Sequence, residues 1–419
     1  MKIERLIIHS FRGIETLNLE FSPSEPIVFI GANGVGKSSI LDCLAILLSW
    51  FPARLQNPQT SGQFFTEEDI KNGEKETHAE ITIRIHYSEQ TVKWSRTKTR
   101  TGRSKETSSD LVQLRQLVGE IHESLDKNPD AALPVMAYYP TNRAVLDIPL
   151  RIRKKHLFEP IATYDEALTG GTINFRRFFE WFRQREDLEN EQRLWGESID
   201  YRDRQLEAVR QAISGILGDI QDLRIQRSPL RMTLTKQGQE LSVNQLSDGE
   251  KCLLALIGDL ARRLAIANPN PQQNPLQGSG VVIIDEIELH LYPQWQRGII
   301  PALTRTFPNC QFIVTTHSPQ VISDVEWVQL LKMTPEGIVI ERLRSFGKDS
   351  NRILETLMGT PERPPEIEEK FQQLFRVIDR GELDNARQLR QQLAERVGED
   401  DPTFVRADGL IRRKEILNR

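Results

Sequence analysis

Residues 1–31 alternate apolar and polar positions and end in an unbroken apolar run, Ile27-Val28-Phe29-Ile30. Period-two alternation marks half-buried strands, and a continuous run fits a strand buried on both faces. Two or three strands are predicted here, the last feeding a Gly-rich loop. Ser38 to Phe51 reads as a helix, with Ile40, Leu41, Leu44, Leu47 and Leu48 on a broad apolar face. Ala79 to Ile85 alternates strictly and predicts a strand, with Gln90 to Trp94 as its hairpin partner and Leu133 to Tyr139 as a buried strand.

Between about 150 and 225 the pattern changes. Phe175, Phe178, Phe179 and Phe182 recur at helical spacing among charges, and a second helix runs from about Arg202 to Leu217. This is a helical insert, far too short for a long coiled-coil arm. Residues 229–245 read as a hairpin leading into Leu246, and 268–280, rich in Pro, Asn, Gln and Gly, as a surface loop. Beyond about 345 the chain becomes helical. Ile367, Phe371, Leu374, Phe375 and Ile378 share one face; Leu383, Ala386, Leu389, Leu393 and Val397 follow a similar period. Gly381 and Gly398 sit where helix stops belong, so a helical hairpin docked on the core is expected.

The chain has 419 residues, enough for two or three compact units, with 38% hydrophobic and 27% charged residues, an ordinary globular mixture. A formal net charge of −4 argues against coating nucleic acid by bulk charge. Cys43, Cys252 and Cys310 are far apart and form no CxxC pair, which fits a reducing compartment. The N-terminus, charged on both sides of a very short apolar run, reads as a strand and not a signal peptide. The stretch Leu41 to Phe51 is too short to span a bilayer and carries Asp42. A cytoplasmic protein without membrane attachment is expected.

Four motifs bring chemistry. Gly31 to Ser38 matches G-x-x-x-x-G-K-[ST] in a strand-to-helix context. Its glycines let backbone N–H groups face phosphate oxygens, Lys37 reaches the β- and γ-phosphates, and the Ser38 hydroxyl ligates Mg²⁺. Asp285-Glu286 ends a run of four apolar β-branched residues. The first acid would hold Mg²⁺, and the second would accept a proton from the attacking water. Ser247-Asp248-Gly249-Glu250 has the spacing of a capping box for a helix carrying Leu253, Leu254, Leu256, Ile257 and Leu260. Such a helix start, with a glycine for close approach, could also meet a γ-phosphate, but one brought by a second subunit. Thr315-Thr316-His317-Ser318 follows Phe312-Ile313-Val314, and a histidine at that strand end can sense a γ-phosphate.

In this order the motifs resemble the ABC-type ATPase heads of the SMC, RecF and OLD class. The resemblance makes Gly31 to Ser38 Walker A, Leu246 to Glu250 the signature, Val281 to Glu286 Walker B and His317 the switch histidine. Phe11-Arg12-Gly13 is similar to residues that lie near the nucleotide in this class. Glu250 stands where membrane transporters usually have Gln, and Asp285 to Pro293 is similar to the D-E-P-E-x-H-L-H-P stretch of OLD-like proteins. More narrowly, the short insert and helical tail resemble bacterial ATPases of retron-associated and Septu-type antiphage systems.

The resemblance implies an α/β ABC-type P-loop head, a mixed sheet with an antiparallel β subdomain. Residues 1–150 and 229–345 would be its two lobes, 151–228 the helical insert and 346–419 the helical tail. The cofactors implied are ATP and Mg²⁺. Arg12, Gly31, Ala32, Asn33, Gly34, Val35, Gly36, Lys37, Ser38, Ser39, Ser247, Gly249 and Glu250 would contact the nucleotide. Ser38 and Asp285 would hold the metal, and Lys37, Glu286 and His317 would act in hydrolysis. The partners implied are a second copy, joined through composite ATP sites, and an effector nuclease of HNH type. The rival reading is a RecF-like repair ATPase that clamps DNA directly.

Three departures stand out. No Q-loop glutamine follows Leu133 to Tyr139, and Asn142 and Arg143 both occupy that region. The usual D-loop Asp is missing, with His290 near its place. Only about a hundred residues follow His317, without the acidic nuclease domain of OLD proteins, so the chain is not expected to cut DNA itself. One basic segment, Lys93, Trp94, Arg96, Lys98, Arg100, Arg103 and Lys105, has no intervening acid. It is either a solvated hairpin tip or a phosphate contact with Trp94 stacking on a base. Arg151 to Lys155 is a second, weaker candidate.

Overall fold

The computed structural model describes residues 1–85, 90–104, 106–128, 130–143, 159–196, 200–335 and 337–417, and divides into two compact units, 1–349 and 350–419. In the first unit the chain opens with β1 (Lys2–Phe11), β2 (Ile14–Glu20) and β3 (Ile27–Gly31). The helices α1 (Lys37–Leu48) and α2 (Trp50–Gln56) follow, so the predicted single helix is two, divided at Ser49. The stretch 37–56 is long and apolar enough to cross a membrane, but 72% of that window is buried within the fold. It is the core helix beneath the Gly-rich loop.

Next come β4 (Glu76–Arg84), β5 (Thr91–Thr99), α3 (Val112–Lys127) and β6 (Val135–Tyr139). The strands β2-β1-β4-β5 form the antiparallel subdomain. Its hairpin partner strand runs to Thr99, five residues beyond the expected end. Val92 and Trp94 point inward on it, and the Trp94 indole N–H donates to the Leu47 carbonyl at 2.9 Å. Trp94 is 1% exposed, which removes it as a base-stacking platform. The neighbouring cations are also engaged. Arg96 lies over the Trp50 ring at 3.8 Å, Lys98 and Arg100 face Glu67, and Arg100 also donates to the Glu74 and Ile70 carbonyls. Among the described residues, then, this segment is neither a stacking platform nor a solvated hairpin tip: it is a strand whose cations are held within the chain. Lys105 and Arg151 to Lys155 lie outside the described residues.

The insert contains α4 (Phe175–Trp195) and α5 (Arg204–Leu217), as expected, but its last part is extended. β7 (Ile220–Arg227) joins β8 (Leu230–Lys236) and β9 (Gln239–Ser242) in a three-stranded antiparallel ribbon, where a two-stranded hairpin starting at 229 was expected. Phe175, Phe178, Phe179 and Phe182 are all buried. Phe178 packs so closely on α6 (Asp248–Ala267) that a Cβ on Gly258 would sit 3.0 Å from its ring.

The remainder builds the central sheet: β10 (Gly280–Ile284), α7 (Pro293–Gln296), α8 (Ile299–Thr306), β11 (Cys310–Thr315), α9 (Pro319–Ser323), β12 (Trp327–Thr334) and β13 (Gly337–Arg344). The strand order is β13-β12-β3-β11-β10-β6, parallel throughout except at β13. The inner strands are apolar runs buried on both faces, as parallel strands between helices must be. The Gln311 side chain on β11 clamps Ile3, accepting from its N–H at 2.6 Å and donating to its carbonyl at 2.9 Å. This is a mixed-sheet P-loop architecture carrying an antiparallel subdomain.

The second unit holds α10 (Ser350–Thr356), α11 (Pro365–Arg380), α12 (Leu383–Val397) and α13 (Pro402–Leu417). Gly381 takes the left-handed conformation that ends α11, as its position predicts. The expected hairpin is extended to a three-helix core, because α13 adds Phe404, Ala407 and Ile411 to the Phe371, Leu374, Ile378 and Leu393 of α11 and α12.

Candidate nucleotide-binding and hydrolytic site

In a parallel sheet, ligands bind beyond the carboxyl ends of the strands. Here β3, β11, β10 and β6 are consecutive neighbours, so their C-terminal loops are brought together. They carry, in that order, the Gly-rich loop, Thr315 to His317, Asp285-Glu286 and Arg143.

The Gly-rich loop has the backbone the motif requires. Gly31, Gly34 and Gly36 take φ of 147°, 78° and 109°. At Gly31 the requirement is also steric, since a Cβ would lie 2.6 Å from the Leu331 carbonyl oxygen of the neighbouring strand. Val35 is buried and anchors the loop, whereas Ala32, Asn33, Gly34 and Ser38 are exposed and Ser39 is half-buried. The Lys37 ammonium is folded back on the loop, donating to the Gly31 and Ala32 carbonyls at 2.9 and 3.0 Å. Burial holds its pKa below the ordinary lysine value, and the charges of Asp285, Glu286 and Glu288 oppose that shift. A buried cation resting on carbonyls, with carboxylates near, suits a triphosphate bound with a divalent metal. Among the described residues no three His, Cys, Asp or Glu side chains converge as a ready-made metal cage. Ser38 and Asp285, with the phosphates themselves, are the groups that would hold a cation here, the arrangement expected of a P-loop enzyme.

Thr315 joins the two acidic positions. Its hydroxyl donates to Asp285 Oδ1 at 2.5 Å and accepts from the Glu286 N–H at 2.7 Å. Glu286 adopts φ 45°, a left-handed conformation uncommon for a non-glycine residue. The next loop is fixed by Glu288, whose Oε1 accepts from the His317 N–H at 2.5 Å. Its Oε2 is buried without a partner among the described residues. His317 itself is half-buried, and Thr316 ties its loop to β3 through the Phe29 carbonyl at 3.1 Å.

The two candidates for the Q-loop position part company. Asn142 is exposed. Arg143 is buried and donates to the carbonyls of Pro140, Asp285 and Glu286 at 3.1, 2.5 and 2.7 Å. Arg12 is committed within the chain, its guanidinium spanning Asp42 of α1 at 2.5 Å and Asp69 at 2.9 Å. Asp42 also accepts from the Tyr138 hydroxyl at 2.7 Å. Arg12 therefore braces the helix beneath the Gly-rich loop.

The signature forms the capping box its spacing predicts. Glu250 Oε2 accepts from the Ser247 N–H at 2.9 Å and its hydroxyl at 2.7 Å, and the Glu250 N–H returns to Ser247 Oγ at 3.4 Å. Lys236 of β8 pairs with Glu250, and its contact helps hold that carboxyl below the usual range against the effect of burial. Gly249 serves a contact within the chain, since a Cβ there would lie 2.4 Å from the His290 carbonyl oxygen. Ser247 stays exposed. It borders an open depression of about 1030 Å³, lined with Gly249, His290, Tyr292 and Trp295, that contains none of the Gly-rich loop residues.

Farther along α6, Asp259 is fully buried. It accepts from Arg262 at 2.7 Å, Arg263 at 2.6 Å and the Tyr139 hydroxyl at 3.0 Å. This pins the signature helix to the end of β6.

Thr315, Glu288 and Arg143 thus join the residues that the motifs identify. Only the Thr-Thr-His-Ser spacing hinted at Thr315, and Arg143 was noted only for its position.

Comparison with known proteins agrees with this geometry. Residues 27–323 match the family described as "AAA domain, putative AbiEii toxin, Type IV TA system". The chain is 30% identical to the Retron Ec83 probable ATPase of Escherichia coli, over 97% of this chain and 85% of that protein. It is 30% identical to the Retron Vc95 probable ATPase of Vibrio cholerae serotype O1 biovar El Tor, over 92% and 85%. It is 21% identical to the Septu protein PtuA of Bacillus thuringiensis, over 90% and 89%. The family match spans most of the chain and includes the Gly-rich loop, Ser247 to Glu250, the acidic strand end and Thr315 to Ser318: the chain belongs to this AAA-domain family and is an ATPase, similar to the retron probable ATPases and to the Septu protein PtuA.

Proposed function

We propose that the chain binds ATP with Mg²⁺, closes head-to-tail on a second copy around two nucleotides, and hydrolyses them slowly. The closed state gates a partner effector, an HNH-type nuclease, in a cytoplasmic antiphage system. Lys37 neutralises the phosphates, and Ser38 and Asp285 hold the cation, whose charge stabilises the transferred phosphoryl group. Glu286 takes the proton of the attacking water, and His317 contacts the γ-phosphate. The lobes, insert and tail at about 1–150, 229–345, 151–228 and 346–419 are the working parts of this arrangement.

The observation that carries the reading is the placement of the signature. Ser247 caps a helix, is exposed, and lies in a depression free of Gly-rich loop residues, where a second chain could present its nucleotide. The retron and Septu names of the relatives support the defence setting.

The test is complementation. Lys37→Ala and Ser247→Arg proteins are each expected to be nearly inactive. Mixed in equal amounts, they should recover about a quarter of wild-type turnover, because half of random dimers are hybrids with one intact composite site. No recovery on mixing refutes the composite site. The serine variant must first show normal circular dichroism, since losing its cap costs about 1 kcal/mol.

A further inference from the structure

Buried arginines are rarely left without a carboxylate. Arg143 is 1% exposed, yet among the described residues its backbone-directed hydrogen bonds end on three carbonyls, two of them those of Asp285 and Glu286, and no carboxylate pairs with it. Its Nε is buried without a partner among the described residues, and its charge also reaches the Cys252 thiol on the signature helix. Desolvating a guanidinium to hold carbonyls is costly, so the contact demands an explanation.

Glu286 supplies it. A non-glycine residue at φ 45° is uphill and persists only where its surroundings hold it. Both sides of this residue are held: its N–H by the Thr315 hydroxyl and its carbonyl by Arg143, whose other arm takes the carbonyl before it. The left-handed turn directs the Glu286 side chain away from the course an extended continuation of β10 would give it. We propose that Arg143 is a positioning residue for hydrolysis, its forked guanidinium fixing the strained backbone that aims the Glu286 carboxylate. Arg143 stands in the region where a Q-loop glutamine is missing, but it acts on the base through the backbone. A planar fork suits two adjacent carbonyls; an ammonium cannot reproduce it.

The inference rests on Glu286 being the base, and undiminished turnover of a Glu286→Gln protein would remove that basis separately. The experiment compares Arg143→Lys, Glu286→Gln and the double variant by calorimetric ATP affinity, single-turnover hydrolysis and thermal unfolding. Arg143→Lys should bind ATP within about threefold of wild type and hydrolyse it about 10–100-fold more slowly, as misplacement of a catalytic group does. In the Glu286→Gln background the same change should slow the residual rate by no more than about twofold, because both act on one step. Wild-type hydrolysis by Arg143→Lys overturns the proposal. So does a loss that multiplies with that of Glu286→Gln, or an ATP affinity that falls in step with the rate, which would make Arg143 a nucleotide contact. Arg143→Ala is the harsher version; if it fails to fold, the lysine variant carries the test.

Discussion

Replacing Asp259 by Asn probes what holds the signature helix in place. The carboxylate is fully buried and satisfies two buried guanidiniums and one phenol. The two arginines hold its pKa far below the usual carboxylate range, against a burial effect that would raise it. The amide is nearly isosteric, but it removes the carboxylate that pairs with both arginines and points an NH₂ at a donor. Removing one partner of a buried pair costs about 3–5 kcal/mol. The unit carrying Asp259 spans residues 1–349. At about 2.1 cal/mol/K per residue its unfolding entropy is about 0.7 kcal/mol/K, so the midpoint should fall by about 4–7 °C.

The pH dependence has a definite sign. A depressed folded pKa contributes stability that is fully present above the unfolded value, about 4, and is lost as pH falls through the folded value. The gap between wild type and Asp259→Asn should therefore be flat from pH 5 to 8 and narrow only in acid. Calorimetric scans across that range give the answer. An unchanged midpoint, or a gap that opens between pH 5 and 8, would refute the assignment.

Glu286→Gln should keep ATP binding while turnover falls about 10²–10⁴-fold, the usual cost of losing a general base; calorimetry and a phosphate-release assay separate the two. Gly249→Ala places a methyl 2.4 Å from the His290 oxygen, so the loop must move. Hydrolysis should drop sharply while binding at the Gly-rich loop survives, and full turnover would show that the contact is dispensable. Phe404→Ala removes a ring from the small core of the second unit, at about 3–5 kcal/mol. Limited proteolysis should then cut within 350–419 while ATP binding persists. The same core means that deleting residues 400–419 would unfold this unit.

Where residue type and spacing dictate chemistry, the sequence was enough. Gly31 to Ser38 and the capping box of Ser247 and Glu250 each take the local backbone their spacing implies. β7 escaped because it is bulged: its register shifts between Gln221 and Arg224, with Asp222 at φ 50°. Its buried Ile220, Leu223 and Ile225 therefore break period two. α13 escaped because exposed Val405 and Ile416 blur the stripe of Phe404, Ala407 and Ile411. The place of Trp94 stayed open among its cations, although Val92, two residues earlier, marks the same inward face. Arg143 and Glu288 act on backbone groups of distant segments, a role no local pattern encodes.

The strand order carries a consequence for synthesis. β3, which launches the Gly-rich loop, pairs with β11 on one side and β12 on the other, strands that begin at Cys310 and Trp327. Ile3 likewise waits for Gln311, 308 residues later. A nascent chain emerging from the ribosome thus carries its phosphate loop long before the strands that seat it, which follow only from Cys310 onward. Contacts so distant in sequence make folding slow and largely post-translational. Products that end before β11 and β12 lack the strands on which this loop's strand is seated.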